Sequence, residues 1–138
     1  MLTDDKRISE KTMDALRSFT AEGNVFTICT GRALESALTV HYDLHLDFEN
    51  SYVAAYNGGQ IYDPREGKTL YRTGIDLKMV EDIFKIAREF QIHVHTYNDN
   101  YIVSENYGEC MEFYRKDIKT PAIITEHPMK ELFDPPCK

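Results

Sequence analysis

The sequence predicts an α/β protein, in which helices alternate with short strands. Val25–Cys29 is a short, mostly apolar run that is typical of a buried strand, and it lies between two segments with helical spacing. A second apolar run, Tyr52–Tyr56, follows a polar stretch. The order helix, strand, turn, helix, strand is typical of a layered α/β fold.

The first helix has a start signal and a stop signal. Ser9 is a good N-cap, because its hydroxyl accepts a hydrogen bond from an amide of the first turn. Met13, Leu16 and then Phe19 follow at helical spacing, and Gly23 stands where a left-handed residue ends a helix. A second helix is predicted after Thr30-Gly31-Arg32 from a stripe of apolar residues: Ala33, Leu34, Ala37 and Leu38.

Turn residues divide the rest of the first half. The polar segment His41–Asn50 is predicted to be a loop. Asn57-Gly58-Gly59 is a strong turn signal, since Asn and Gly adopt positive φ at low cost. Gln60–Tyr62 is a predicted strand, and Lys68–Arg72 is its returning arm.

The pattern changes after residues 68–75, where a boundary between two substructures is expected. Asp76 can cap a helix with a 3.6-residue apolar stripe. The stripe is formed by Leu77, Val80, Ile83, Phe84, Ala87 and Phe90. Further on, strands are predicted at Ile92–Tyr97, Tyr101–Val103 and Pro121–Thr125, and a helix at Glu109–Lys116.

Composition limits the partners. The 138 residues carry 16 Lys and Arg against 23 Asp and Glu, a net charge of -7. This acidic balance argues against a nucleic-acid backbone or an anionic membrane as partner. Apolar runs are far shorter than the roughly 20 residues of a membrane span. The three cysteines, an odd number at wide spacing, do not form a disulfide framework, so a cytoplasmic location is expected. Cys29 is interpreted as a small core residue.

Chemistry is expected at the end of the first strand. Ligands of open α/β sheets bind outside the carboxyl ends of strands. Thr30 would lie there, and the amides of Gly31 and Arg32 would be unpaired at the start of the next helix, where its dipole favours an anion. These residues could hold a phosphate, with Arg32 adding charge or buttressing the turn. A plain strand-to-helix turn is the alternative reading.

Three stretches carry a family resemblance: residues 2–32, YVAAYNGGQIYD and HTYNDNYIVSE. In this order they resemble the haloacid dehalogenase (HAD) superfamily, and most closely its Cof-type sugar-phosphate phosphatases, which have an inserted α+β cap. The resemblance implies a partial HAD Rossmann-like core over residues 1–72, lacking its first strand, and the first half of the cap over residues 73–138. It also implies an Mg²⁺-dependent phosphohydrolase that forms an aspartyl-phosphate intermediate on small phosphorylated metabolites.

The family's functional residues transfer in part. Thr30 matches the second motif, whose hydroxyl holds a phosphoryl oxygen, and Gly31 and Arg32 match the positions after it. The turn Asn57-Gly58-Gly59 matches one that frames the substrate. The nucleophile motif Asp-x-Asp-Gly-Thr, the later lysine motif and the Gly-Asp-x-x-x-Asp metal motif do not occur among these residues. The sequence is therefore expected to be a truncated, inactive phosphatase without its own Mg²⁺ ligands.

Two alternatives stay open: a non-catalytic binding or assembly module that self-associates through its incomplete sheet, and one half of a split phosphatase. Two possible metal motifs are less favoured. His93 and His95 share one face of a predicted strand and could ligate a metal, with Asp99 or Glu105 as weak third ligands, but a lining strand face is preferred. The segment with Asp43, His45 and Asp47 is predicted to be a solvated connector.

Overall fold

The computed structural model describes residues 3–5, 7–109, 111–112 and 120–138. The chain forms two compact units, Met1–Tyr71 and Arg72–Lys138. Three α-helices and two β-sheets lie within the described ranges. This mixed architecture confirms the predicted α/β fold class.

The first unit is built around a four-stranded sheet. Its elements are α1 (Glu10–Ala21), β1 (Phe26–Cys29), α2 (Leu34–Asp43), β2 (Ser51–Ala55), β3 (Gln60–Asp63) and β4 (Lys68–Arg72), whose last residue belongs to the second unit. The strand order is β1-β2-β3-β4, with β1 parallel and β3 antiparallel to β2. The β1–β2 connection runs through α2, because parallel neighbours need a crossover.

The ends of α1 are as predicted. The Ser9 hydroxyl accepts a hydrogen bond from the Thr12 amide at 3.2 Å. Gly23 follows the helix with φ +85°, the left-handed conformation that glycine adopts without strain.

The interpretation of β1 as a fully buried strand is wrong. Phe26 and Ile28 are half-buried, whereas Thr27 and Cys29 are exposed. The reason is its position: β1 is the terminal strand of the described sheet and pairs on one side only, with β2. Cys29 is therefore a surface residue and not a core residue.

The prediction of a loop over His41–Asn50 is wrong in its first part. Helix α2 continues to Asp43, and His41 has no solvent-exposed surface. Leu46, after the helix, is only 1% exposed. The segment thus contributes two buried side chains to the first unit.

The second unit packs one helix and the tail of the chain on a three-stranded sheet. Its elements are α3 (Leu77–Glu89), β5 (His95–Tyr97), β6 (Ile102–Ser104) and β7 (Ala122–Ile124), followed by a 3₁₀ turn, Pro128–Glu131. The order is β5-β6-β7, with β5 antiparallel and β7 parallel to β6. Val80, Phe84, Val103 and Leu132 form its core.

The predicted α3 is present, with its cap. The Asp76 carboxylate accepts hydrogen bonds from the amides of Lys78 and Met79, at 2.9 and 3.4 Å. The predicted stripe is only partly buried, since Ile83 is 40% and Phe90 71% exposed.

Two later predictions have different outcomes. The strand proposed for Ile92–Tyr97 is too long, because β5 begins at His95 and Ile92 is 58% exposed. The helix predicted over Glu109–Lys116 lies largely outside the described residues.

Candidate functional site

The loops that follow β1 and β2 meet at one edge of the sheet, because parallel strands end on the same side. Backbone hydrogen bonds join them. The Thr30 amide donates to the Ala54 carbonyl at 2.9 Å, and the Asn57 amide donates to the Thr30 carbonyl at 3.0 Å. The Tyr56 amide donates to the Arg32 carbonyl at 2.9 Å. The main chain therefore fixes the two loops against each other.

A glycine permits the closest approach between these loops. A Cβ added to Gly31 would lie 2.8 Å from the side-chain oxygen of Asn57, closer than real Cβ contacts come. Asn57 and Gly58 have φ +57° and +92°, so the second loop uses the left-handed conformations that its sequence predicts. The structure thus brings the predicted residues 30–32 together with residues 57–59.

The hydrogen bonding within residues 30–32 differs from the prediction in one respect. The Arg32 amide is not an unpaired donor, because it donates to the Thr30 hydroxyl oxygen at 3.2 Å. The Arg32 guanidinium donates to the Ser36 hydroxyl at 3.2 Å, so it buttresses the start of α2. The N-cap of α2 is Ala33, which has no side chain to cap the first turn.

A cavity of about 390 Å³ adjoins the first of these loops. Thr30, Arg32 and Cys29 line it together with residues of α2, among them Ala37 and Val40. Two of the three predicted phosphate-binding residues therefore face a concave surface of the first unit.

A second, larger cavity of about 530 Å³, which the sequence did not predict, lies in the same unit. Its lining includes the buried His41 with Asp47, Glu49 and Arg65. Neither ring nitrogen of His41 bonds to a described protein group. Burial lowers the pKa of His41, and Asp47 opposes that shift. His41 lies four residues after Ala37 and therefore on the same face of α2, and this spacing is the sequence signal that predicts its burial.

Side chains that could bind a metal ion do not cluster in groups of three or more among the described residues. Within 3–5, 7–109, 111–112 and 120–138, no group of three or more His, Cys, Asp or Glu side chains is placed to hold a metal ion. Mg²⁺ is bound in proteins mainly by carboxylates and water. Asp43, His45 and Asp47 are exposed, as predicted for a solvated connector.

The two histidines of the second possible metal motif, His93 and His95, are close to each other. His93 and His95 lie side by side in the second unit, with ring centroids 5.3 Å apart. Their suggested third ligands are engaged elsewhere, Asp99 with Arg72 and Glu105 with Arg88.

In the part of the chain that the structure describes, no helix has the length and apolar character needed to cross a membrane.

Comparison with known proteins decides the family. The model of the haloacid dehalogenase-like hydrolases matches residues 1–136. The chain belongs to this family. The family predicted from the sequence is therefore confirmed.

Curated relatives of this HAD protein are distant. A protein of Streptococcus pyogenes serotype M6, named as a candidate phosphatase, is 26% identical over 114 residues, which cover 79% of this chain and 41% of the relative. The 5-amino-6-(5-phospho-D-ribitylamino)uracil phosphatase of Bacillus subtilis is 26% identical over 94 residues, covering 67% and 34%. The chain thus spans about two fifths or less of the length of these relatives.

Solved HAD structures share the fold. A haloacid dehalogenase-like hydrolase from Bacteroides thetaiotaomicron superimposes with a TM-score of 0.81 at 19% identity, covering 98% of this chain and 51% of that one. A sugar phosphatase of HAD subclass IIB superimposes with a TM-score of 0.73 at 15% identity, covering 98% and 52%.

Proposed function

We propose that this chain supplies the phosphate-holding loop of a Cof-type phosphatase that acts on small phosphomonoesters such as sugar phosphates. The Thr30 hydroxyl oxygen accepts a hydrogen bond from the Arg32 amide. The hydroxyl proton of Thr30 is then available to donate a hydrogen bond to a phosphoryl oxygen. The main chain of Gly31 and Arg32 shapes this cradle, and Asn57, Gly58 and Gly59 frame the substrate beside it. The proposal rests on the interlocking of the two loops, with the close approach at Gly31.

The proposal extends to the division of labour in the chain. Residues 1–72 are part of the HAD core, and residues 73–138 are part of the cap that selects the substrate. The family's aspartyl-phosphate chemistry needs a nucleophile and Mg²⁺, and the motifs that provide them do not occur in these 138 residues. These residues by themselves bind a phosphate without turning over its ester. A cytoplasmic location, inferred from the cysteine pattern, belongs to the same proposal.

The test is a titration of the chain with inorganic phosphate, in which binding is measured by NMR from the chemical shifts of the amides of residues 30–32 and 57–59. We expect Thr30→Val to weaken binding by roughly tenfold or more, because a hydrogen bond to a charged group contributes about 1.5–3 kcal/mol. Thr30→Ser keeps the hydroxyl and is expected to keep binding.

Thr27→Val is the matched control, because Thr27 is an exposed threonine of β1, the strand that precedes Thr30. Phosphate shifts that persist unchanged in Thr30→Val, or that fall on other residues, would contradict the proposed cradle. Mg²⁺-dependent hydrolysis of p-nitrophenyl phosphate by the purified chain, lost in Thr30→Val, would contradict the inactivity.

A second candidate function, assembly with another copy of this chain, follows from the position of β1. The amides of Phe26 and Thr30 donate hydrogen bonds to the carbonyls of Asn50 and Ala54 on the β2 side. Successive amides of a strand point to opposite edges, so the Thr27 amide lies on the edge away from β2. An open strand edge is a template for pairing. Sedimentation velocity is expected to show a concentration-dependent dimer that Thr27→Lys weakens. A monomer at every concentration would exclude this function.

A further inference from the structure

Two imidazole rings of the second unit are in direct contact. Nε2 of His93 lies 3.1 Å from Nδ1 of His95. The two residues are separated by one position at the start of β5, and side chains two apart in an extended chain share a face. Both residues are half-buried, so their rings are held by the protein rather than extended into solvent.

A neighbouring amide orients the first ring. The side-chain oxygen of Asn106 lies 2.7 Å from Nδ1 of His93. A carbonyl oxygen only accepts, so Nδ1 of His93 carries the ring proton and Nε2 presents its lone pair to His95. Metal-binding histidines are commonly oriented by such a second partner, which fixes the tautomer.

The separation of the two nitrogens fits a shared metal ion. Two nitrogens bound to Zn²⁺ at about 2.0–2.1 Å in tetrahedral geometry lie about 3.3 Å apart. The two nitrogens are 3.1 Å apart in the present contact, so a rotation of the rings that turns both lone pairs from the line between the nitrogens towards one common point gives this geometry. We propose that Nε2 of His93 and Nδ1 of His95 chelate one divalent first-row transition-metal ion, such as Zn²⁺, with Asn106 as the positioning residue.

The protons balance without a change of net charge on the rings. Since the Asn106 contact leaves Nε2 of His93 as the acceptor, the proton between the two nitrogens is assigned to Nδ1 of His95. The metal ion takes the place of this proton, and His95 adopts the other neutral tautomer by exchange with solvent. No redox step is involved, and water completes the coordination, since no third His, Cys, Asp or Glu of the described residues joins the pair.

The positive charge of Lys138 acts on the His95 ring and limits the affinity of the pair for a cation. The same Lys138 charge repels a bound cation. Lys138→Gln is therefore expected to strengthen metal binding, an effect opposite to that of the ligand variants.

The experiment is calorimetric titration of the chelator-treated chain with Zn²⁺, together with electron paramagnetic resonance of the Cu²⁺ form. We expect one site per chain with two nitrogen donors. His93→Gln and His95→Gln each abolish it, and Asn106→Ala weakens it by about tenfold. His127→Gln is the matched control, because His127 is an exposed histidine of the same unit, and it leaves binding unchanged.

Folding of each variant is checked by thermal melting with chelator present, and a variant that does not melt cooperatively is replaced by the asparagine variant at the same position. The proposal is overturned if the unmodified chain binds neither ion. It is also overturned if folded His93 and His95 variants retain the site, or if the His127 variant is the one that loses it.

Discussion

The two units of the chain each contain a buried apolar cluster, and the clusters are built from side chains of different size. In the first unit, the buried cluster consists of Ala37, Val53 and Ala55, flanked by half-buried residues such as Ile28. In the second, it consists of Val80, Phe84, Val103 and Leu132. Each cluster joins a helix to a sheet, so the difference lies in the side chains and not in the layering.

The difference in side-chain size between the two clusters is related to where the two proposed sites lie. Alanines allow α2 to approach β2 closely, and the loop of residues 30–32 is fixed between that helix and the sheet. In the second unit, the large side chains of α3 pack against the sheet, and the histidine pair lies at the start of β5. The cluster around Ala37 is therefore expected to contribute less stability than the cluster around Phe84.

The largest expected effect is that of Phe84→Ala, which removes a side chain that is 1% exposed. The expected loss in free energy of unfolding is about 3–5 kcal/mol, because a buried aromatic ring is replaced by a cavity. Val53→Ala, the matched change in the first unit, removes two methyl groups and is expected to cost about 2 kcal/mol. Urea unfolding measures both.

Amide exchange tests whether each loss is local to its unit. Phe84→Ala is expected to accelerate exchange in β6 first, and Val53→Ala in β2 first. Equal losses in the two variants, or the same set of amides affected by both, would remove the distinction between the units.

A smaller effect, which is present in both units, is the dependence of stability on pH. His41 in the first unit and His95 in the second both have lowered pKa values, His95 to about 4. Histidines of the unfolded chain take up protons below about pH 6.5, whereas these two take up protons only at lower pH in the folded chain. Their contribution to stability is therefore complete above pH 6.5 and is lost as the pH falls towards the folded pKa.

The variant His95→Gln isolates this contribution. We expect it to reduce the loss of stability between pH 7.5 and 5 by about 1 kcal/mol, a value discounted because the ring is partly exposed to solvent. His41→Gln is likewise expected to reduce the loss in free energy of unfolding as the pH falls. Urea unfolding at the two pH values, with chelator present, measures this, and an unchanged slope in both variants would refute it.

Local signals predicted most elements because they depend on neighbouring residues. Ser9 and Asp76 cap their helices, and Asn57 and Gly58 form the turn, as their types indicate. The position of Thr30 after a strand predicts that it is a site residue, and the structure places it beside the loop of Asn57.

The amino-acid sequence by itself determined the α/β class, the helix caps, the turns and the family, since propensity, periodicity and motif order are contained in short stretches of chain. Only the tertiary structure decided that Cys29 is exposed, that His41 is buried and that His93 contacts His95. The physical reason is that burial and side-chain contact depend on which strand ends a sheet and on which surfaces pack together. Those are relations between residues far apart in the chain, which local patterns do not encode.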